Sequence, residues 1–185
     1  MASALAWELV ARPVGVPDEG IFALRSHDLT ALSEGEVLVE NTWLSVDPYM
    51  RGRMGADKGA QPFELHRPLE GHALGRVLDS RAAGVEPGDV VVHFSGWRDK
   101  AVVAAAGLLK VRPGLPEQAY LGVLGGPGMT AYFGLLDVAA MREGDVVFVS
   151  GAAGAVGSTV LQLAKHKGAG RIIGSAGGAD KAAWL

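Results

Sequence analysis

At 185 residues, with 49% hydrophobic and 20% charged side chains, the chain is long enough to bury a substantial core and has the balance of a folded globular protein. A formal charge of −3 without any Lys/Arg run leaves no electrostatic footprint for gripping a nucleic-acid backbone or an anionic membrane surface. The absence of cysteine removes disulfides, thiolate nucleophiles and every zinc site that uses sulfur.

Met1 to Gly15 mixes Trp7, Glu8 and Arg12 with apolar residues and lacks the basic start and apolar block of a secretory signal. No stretch approaches the roughly 20 apolar residues that span a bilayer, so a cytoplasmic location is the expectation. From Leu5 to about Val111 short apolar runs alternate with Gly, Pro and Asp, the punctuation of an antiparallel, barrel-like β domain. The expected strands are Leu5–Ala11, Glu36–Val46, His72–Ser80, Asp89–Phe94 and Lys100–Ala104, with Glu86-Pro87-Gly88-Asp89 as a turn. The run from Gly35 to Asn41 alternates too loosely for a clean one-sided strand.

The punctuation changes after Pro116. A Gly/Pro-rich passage, Leu121 to Gly128, precedes a helical pattern in which Met129, Tyr132, Phe133 and Leu136 recur at spacings of three and four. This divides the chain into a first domain, 1–120, and a second, 121–185. Val146–Ser150 reads as an uninterrupted apolar strand of the kind buried on both faces of a parallel sheet. A helix from about Gly154 to Lys167 follows, with Val156, Val160, Leu161 and Ala164 as its apolar stripe and Gly168 as its stop. Arg171–Gly174 then completes a βαβ unit.

Between the first strand and the helix lies Gly151-Ala152-Ala153-Gly154-Ala155-Val156-Gly157, a variant of the dinucleotide fingerprint in which Ala152 replaces the first glycine. Gly154 would let backbone approach a pyrophosphate, Gly157 would let the helix pack closely, and the helix N-terminus would present free N–H groups to the phosphates. An NAD site places an acid about 20 residues beyond the fingerprint. Here Gly174, Ser175, Ala176, Gly177 and Gly178 are small enough to admit a 2′-phosphate, with Lys181 as its counter-charge, which favours NADP. Asp180 leaves an alternative open, as a ribose ligand or as part of a helix N-cap.

Three segments together resemble the medium-chain dehydrogenase/reductase superfamily, in its zinc-free leukotriene B4 dehydrogenase/prostaglandin reductase branch with the curcumin reductase-like and alkenal reductases. They are Val46-Asp47-Pro48-Tyr49-Met50-Arg51-Gly52-Arg53-Met54, the run from Leu124 to Leu135, and Gly151 to Lys165. The resemblance implies a β-rich GroES-like barrel domain followed by the start of an α/β Rossmann domain, an incomplete doubly wound parallel sheet. It implies hydride transfer from NADPH to the β-carbon of an α,β-unsaturated ketone or aldehyde, with charge developing on the carbonyl oxygen. Tyr49 is then the catalytic donor or substrate contact, or else an aromatic packed at a strand end with its hydroxyl at the rim. Met129 and Thr130 would lie against the nicotinamide, or simply begin a packed helix.

Arg51, with Arg53, would meet a substrate carboxylate or a cofactor phosphate, or serve as solvated surface charge. The cofactor turn is expected to comprise Ala152, Ala153, Gly154, Ala155, Val156 and Gly157. Gly71-His72-Ala73 resembles the histidine motif of zinc-using relatives; Asp47 and Glu70 could join His72, but no cysteine can, and no metal is expected. A quinone reductase of the same superfamily and a non-catalytic binding module are the rival readings, and a homodimer is a further option for a full-length parent. A Rossmann domain has six parallel strands, so the halt at Leu185 inside a helix-like segment suggests a fragment or truncated product.

Overall fold

The computed structural model describes residues 2–55 and 61–185, and their contacts separate into two compact units, Met1–Glu117 and Gln118–Leu185. The first unit is built of antiparallel strands. In β1 (Ser3–Leu9), Ala4, Ala6, Glu8 and Leu9 turn inward, the period of two that a half-buried strand requires. It pairs along its whole length with β2 (Phe22–Asp28), a strand the sequence does not announce because Arg25-Ser26-His27-Asp28 carries no apolar alternation.

A five-stranded sheet follows, in the spatial order β6-β3-β4-β5-β7, with β3 at Glu36–Leu44, β4 at Ala73–Ser80, β5 at Val90–His93, β6 at Lys100–Ala104 and β7 at Leu109–Lys110. Its buried face is a cluster of β-branched residues, Val37, Val39, Val77, Val91 and Val103, with Ala101 between them. The loosely patterned run in β3 therefore does alternate where it matters, at Val37 and Val39.

β3 stops two residues before the expected Val46. Ser45 donates its hydroxyl to Asp47 at 2.9 Å, and the chain turns into a helix, α1 (Tyr49–Gly55). Two glycines and a preceding proline hide this helix from propensity arguments. Tertiary contacts hold it. Met50 and Met54 enter a second core with Leu9, Ile21, Phe63 and Leu69, and Arg12 donates to the carbonyls of Arg53 (3.3 Å), Met54 (3.0 Å) and Phe63 (2.6 Å), a cationic cap on the negative end of the helix.

After a 3-10 helix at Glu117–Leu121, the second unit continues with α2 (Gly126–Phe133), extended by a π turn over Gly134–Val138. The apolar spacing read from the sequence lies on the outer side: Met129, Tyr132 and Phe133 are exposed, while Gly128, Ala131 and Leu135 are buried. Small residues make that inner face, because α2 approaches the Val123 backbone so closely that a Cβ on Gly128 would overlap it. β8 (Val146–Val149) and β9 (Arg171–Gly174) pair in parallel, Val149 opposite Gly174, with α3 (Ala155–His166) as the crossover. β8 is not buried on both faces: Val146 and Phe148 are 66% and 65% exposed and only Val149 is enclosed. Lys167 caps α3, and Gly168 leaves the helical path at φ +81°. α4 (Ala179–Trp184) is capped by Gly178, so Asp180 lies inside its first turn and is not an N-cap.

Candidate functional site

The glycine-rich turn of the second unit is held by local backbone. Gly151 takes φ +58°, Gly154 donates to the Gly151 carbonyl at 2.9 Å, and Ala152 and the C-terminal end of β9 are tied by bonds from Ala152 to Ser175 (2.9 Å) and from Ser175 to Val149 (3.0 Å). A Cβ on Gly157 would stand 2.5 Å from the Gly151 carbonyl oxygen and 2.8 Å from the Ala152 Cα. Gly157 is therefore needed to seat α3 on the turn itself, rather than on the strand. Ala152, fully buried, fills the space where the fingerprint has its first glycine, and it does so against Gly174, whose Cβ would come within 2.9 Å of the Ala152 methyl.

Gly154 begins α3 with no side-chain cap, so the free donors of the first turn point outward beside exposed Ala155 and Val156, with Ala153 half-buried alongside. That is the geometry in which a helix N-terminus receives an anion. Gly154 has room around it, since an added Cβ would meet only the Gly151 oxygen at 3.2 Å. These features fit a pyrophosphate. Lys181 is exposed on α4, three residues beyond the Gly178 cap. A cavity of about 490 Å³ opens between α3 and α4, lined by Ser158, Leu161, Gly174, Ala176 and Trp184 among others, and none of residues 151–157 borders it. On α2, Met129 is 58% exposed and the Thr130 hydroxyl donates back to the Gly126 carbonyl at 2.8 Å, leaving its oxygen able to accept.

In the first unit, Tyr49 starts α1 and does not end a strand. It is 40% exposed, and burial of the rest, followed by the Asp47 carboxylate, raises its hydroxyl above the ordinary phenol range despite the opposing charge of Arg53. A phenol so placed stays protonated at neutral pH. It is a hydrogen-bond donor and not a base. Arg53, one helical turn on, shares its face; Arg51 instead donates to the Gly15 carbonyl at 2.6 Å, which fixes the loop after β1.

His72 is exposed and sets its ring edge-on to Phe94 at 5.0 Å, Asp47 receives Ser45, and Glu70 pairs with Arg53 at 3.2 Å. These three do not converge on a common point, and among the described residues no group of three His, Asp or Glu side chains is arranged to hold a metal. Among the described residues no helix is long and apolar enough to cross a membrane.

One polar cluster escapes the sequence reading. His93 is buried, its Nε2 lies 2.7 Å from the Asn41 side-chain oxygen, and its Nδ1 accepts from the Ser95 amide at 3.1 Å, which sets the tautomer with the proton on Nε2. Asn41 in turn donates to the carbonyls of Ser95 (3.0 Å) and Arg98 (2.9 Å). Burial, aided by the Arg98 charge, pulls the His93 pKa down to about 4. The signal available was spacing: His93 follows Val91 by two and shares its inward face.

Residues 6–111 match the family described as the N-terminal domain of oxidoreductase. The chain is 41% identical over 178 residues to the NADPH-dependent curcumin reductase of Escherichia coli (strain K12), covering 95% of this chain and 51% of that protein. It is 39% identical over 189 residues to prostaglandin reductase 1 of Mus musculus, covering 100% of this chain and 55% of that protein. The crystal structure of CurA from Vibrio vulnificus in complex with NADPH superposes with a TM-score of 0.86 at 40% identity, covering 97% of this chain and 53% of that one. The chain thus spans about half the length of the curated relatives it matches.

Proposed function

Because the chain belongs to the family of N-terminal oxidoreductase domains, in the zinc-free medium-chain branch of the curcumin, prostaglandin and alkenal reductases, we propose that it serves an NADPH-dependent reductase of activated carbon–carbon double bonds. The first unit is the GroES-like substrate domain, and the second carries the start of the Rossmann fold. The observation that carries the cofactor half is the uncapped N-terminus of α3 behind the Gly151–Gly157 turn, a cradle for a pyrophosphate. Bound NADPH supplies a hydride.

The chain's own residues provide the remainder. Ala153, Gly154, Ala155 and Val156 hold the phosphates through backbone donors; Gly157 and Ala152 keep the turn in shape; Met129 and Thr130 line the nicotinamide end; and Lys181 neutralises the 2′-phosphate. Tyr49, kept protonated by its surroundings, donates to the carbonyl oxygen on which negative charge develops, stabilising charge that is stronger in the transition state than in the substrate. The α-carbon then takes a proton from solvent, which balances the hydride and leaves Tyr49 protonated.

The purified protein, mixed with NADPH and a panel of enones, alkenals and quinones, should oxidise NADPH with the first two. Tyr49→Phe should lower kcat with little change in KM, by roughly a hundredfold to a thousandfold, since one oxyanion donor is lost. Turnover with quinones alone would overturn the substrate assignment. Equal affinity for NADH and NADPH would overturn the role given to Lys181.

A further inference from the structure

Apart from the cofactor turn and Tyr49, the first unit holds a polar cavity of about 350 Å³, walled chiefly by the 61–70 segment with Phe63, Glu64, Arg67 and Glu70, and by Arg53 of α1 and Arg98. We propose that this cavity binds a small oxyanion, a carboxylate or a phosphate group, held by Arg98 with Arg53 and Arg67.

The charges inside are unequal. Arg53 is spent on Glu70 at 3.2 Å, on the Gln61 carbonyl at 2.9 Å, and on the Phe63 ring, 4.1 Å beneath its guanidinium. Arg67 and Glu64 form a loose, exposed pair at 3.9 Å on the rim. Arg98 is different. Among the described residues its guanidinium donates only to the carbonyls of Gly96 (3.2 Å) and Leu69 (2.9 Å) and forms no close ion pair. Burial holds it below its ordinary range, with the Glu70 carboxylate acting in the opposite direction. Three arginines face two carboxylates, Glu64 and Glu70, so the cavity lining carries one net positive charge, with planar donors suited to an oxyanion.

Backbone geometry indicates that this placement is built in. Trp97, next to Arg98, sits at φ +60°, a conformation that is strained for a bulky residue and persists only where the surroundings impose it. Here they do. The Trp97 carbonyl accepts from Trp7 at 2.8 Å, Ala6 bridges Arg98, and the Asn41 amide, itself set by His93, grips the Ser95 and Arg98 carbonyls. A strained turn is clamped from three sides, and the side chain that follows it opens on the cavity. The site is separate from the cofactor turn and does not depend on the redox reading.

The test titrates the full chain, labelled with nitrogen-15, with sodium phosphate and separately with sodium acetate at constant ionic strength, following the arginine Nε–H signals. The expected result is a saturable shift at Arg98, with a smaller one at Arg53, at concentrations on the order of millimolar. Saturation by phosphate alone assigns a phosphoryl ligand, by acetate alone a carboxylate; both support the site. Arg67→Ala, on a side chain 74% exposed and outside the clamp, should weaken binding about threefold to tenfold without altering the fold. Arg98→Gln should abolish saturation while other amide signals stay in place; should that variant unfold, the wild-type Arg98 shift and Arg67→Ala decide. Shifts that grow linearly without saturating, or saturation that survives in folded Arg98→Gln, overturn the proposal.

Discussion

The two units hold their candidate sites by different means. In Met1–Glu117, Tyr49 and Arg98 stand on elements fixed by long-range contacts: Met50 and Met54 in a core, Arg12 across the end of α1, and a buried imidazole behind the 94–99 loop. In Gln118–Leu185 the phosphate cradle is shaped by neighbours in sequence, through glycines, a parallel strand pair and a few backbone bonds, while its enclosed apolar side chains among the described residues are Tyr120, Ala131, Leu135, Val149, Ala152 and Ala164. A site of the first kind fails when the core fails. A site of the second kind can be lost to a single methyl group.

That contrast can be broken most sharply by truncation. Leu74→Ala removes a side chain that is fully buried in the first unit and should cost about 2–5 kcal/mol in urea unfolding. Phe148→Ala, at 65% exposure, should cost about 0.5 kcal/mol or less. If the two losses were equal, the outer face of β8 would be covered in solution and the contrast would fall.

The pH dependence should belong to the first unit. His93 has a folded pKa of about 4 against an ordinary 6.5, so between those values the unfolded chain binds the extra proton. The His93 contribution should be constant above pH 6.5 and be lost as pH drops towards 4, by about 3 kcal/mol in all at roughly 1.4 kcal/mol per unit. Following unfolding with probes in each unit would show whether the second is indifferent. The slope should vanish in His93→Gln.

Two glycine substitutions separate shape from ligand contact in the second unit. Gly157→Ala drives a methyl against the Gly151 carbonyl and should cost about 1–3 kcal/mol together with NADPH affinity. Gly154→Ala meets one atom at 3.2 Å and should leave thermal stability within about 0.5 kcal/mol while weakening NADPH binding. Unchanged affinity in both would remove the cradle from the proposed function.

What could be read in advance follows from how local each cause is. The strand, turn and helix around Gly151–Gly157 are specified by adjacent residues, and the sequence shows them in order. α1 was hidden because its support arrives from Arg12 and from two distant core residues, Leu9 and Leu69. β2 was hidden because its order comes from pairing and not from pattern. The stripe Met129, Tyr132, Phe133 misled because apolar spacing reports a face, and here close approach by Gly128 and Ala131 selects the opposite one. Arg98 could not be singled out from sequence, since its meaning depends on which neighbours fail to neutralise it.

The contact between Ala152 and Gly174 has a consequence for anyone wishing to retune nucleotide choice. With a methyl already in place, position 174 at the end of β9 is closed to any side chain, so an acid meant for the ribose cannot be installed there without first shrinking residue 152. Under the proposed function, discrimination between the two nucleotides would then fall downstream, to Ser175 and beyond, where the chain is largely exposed.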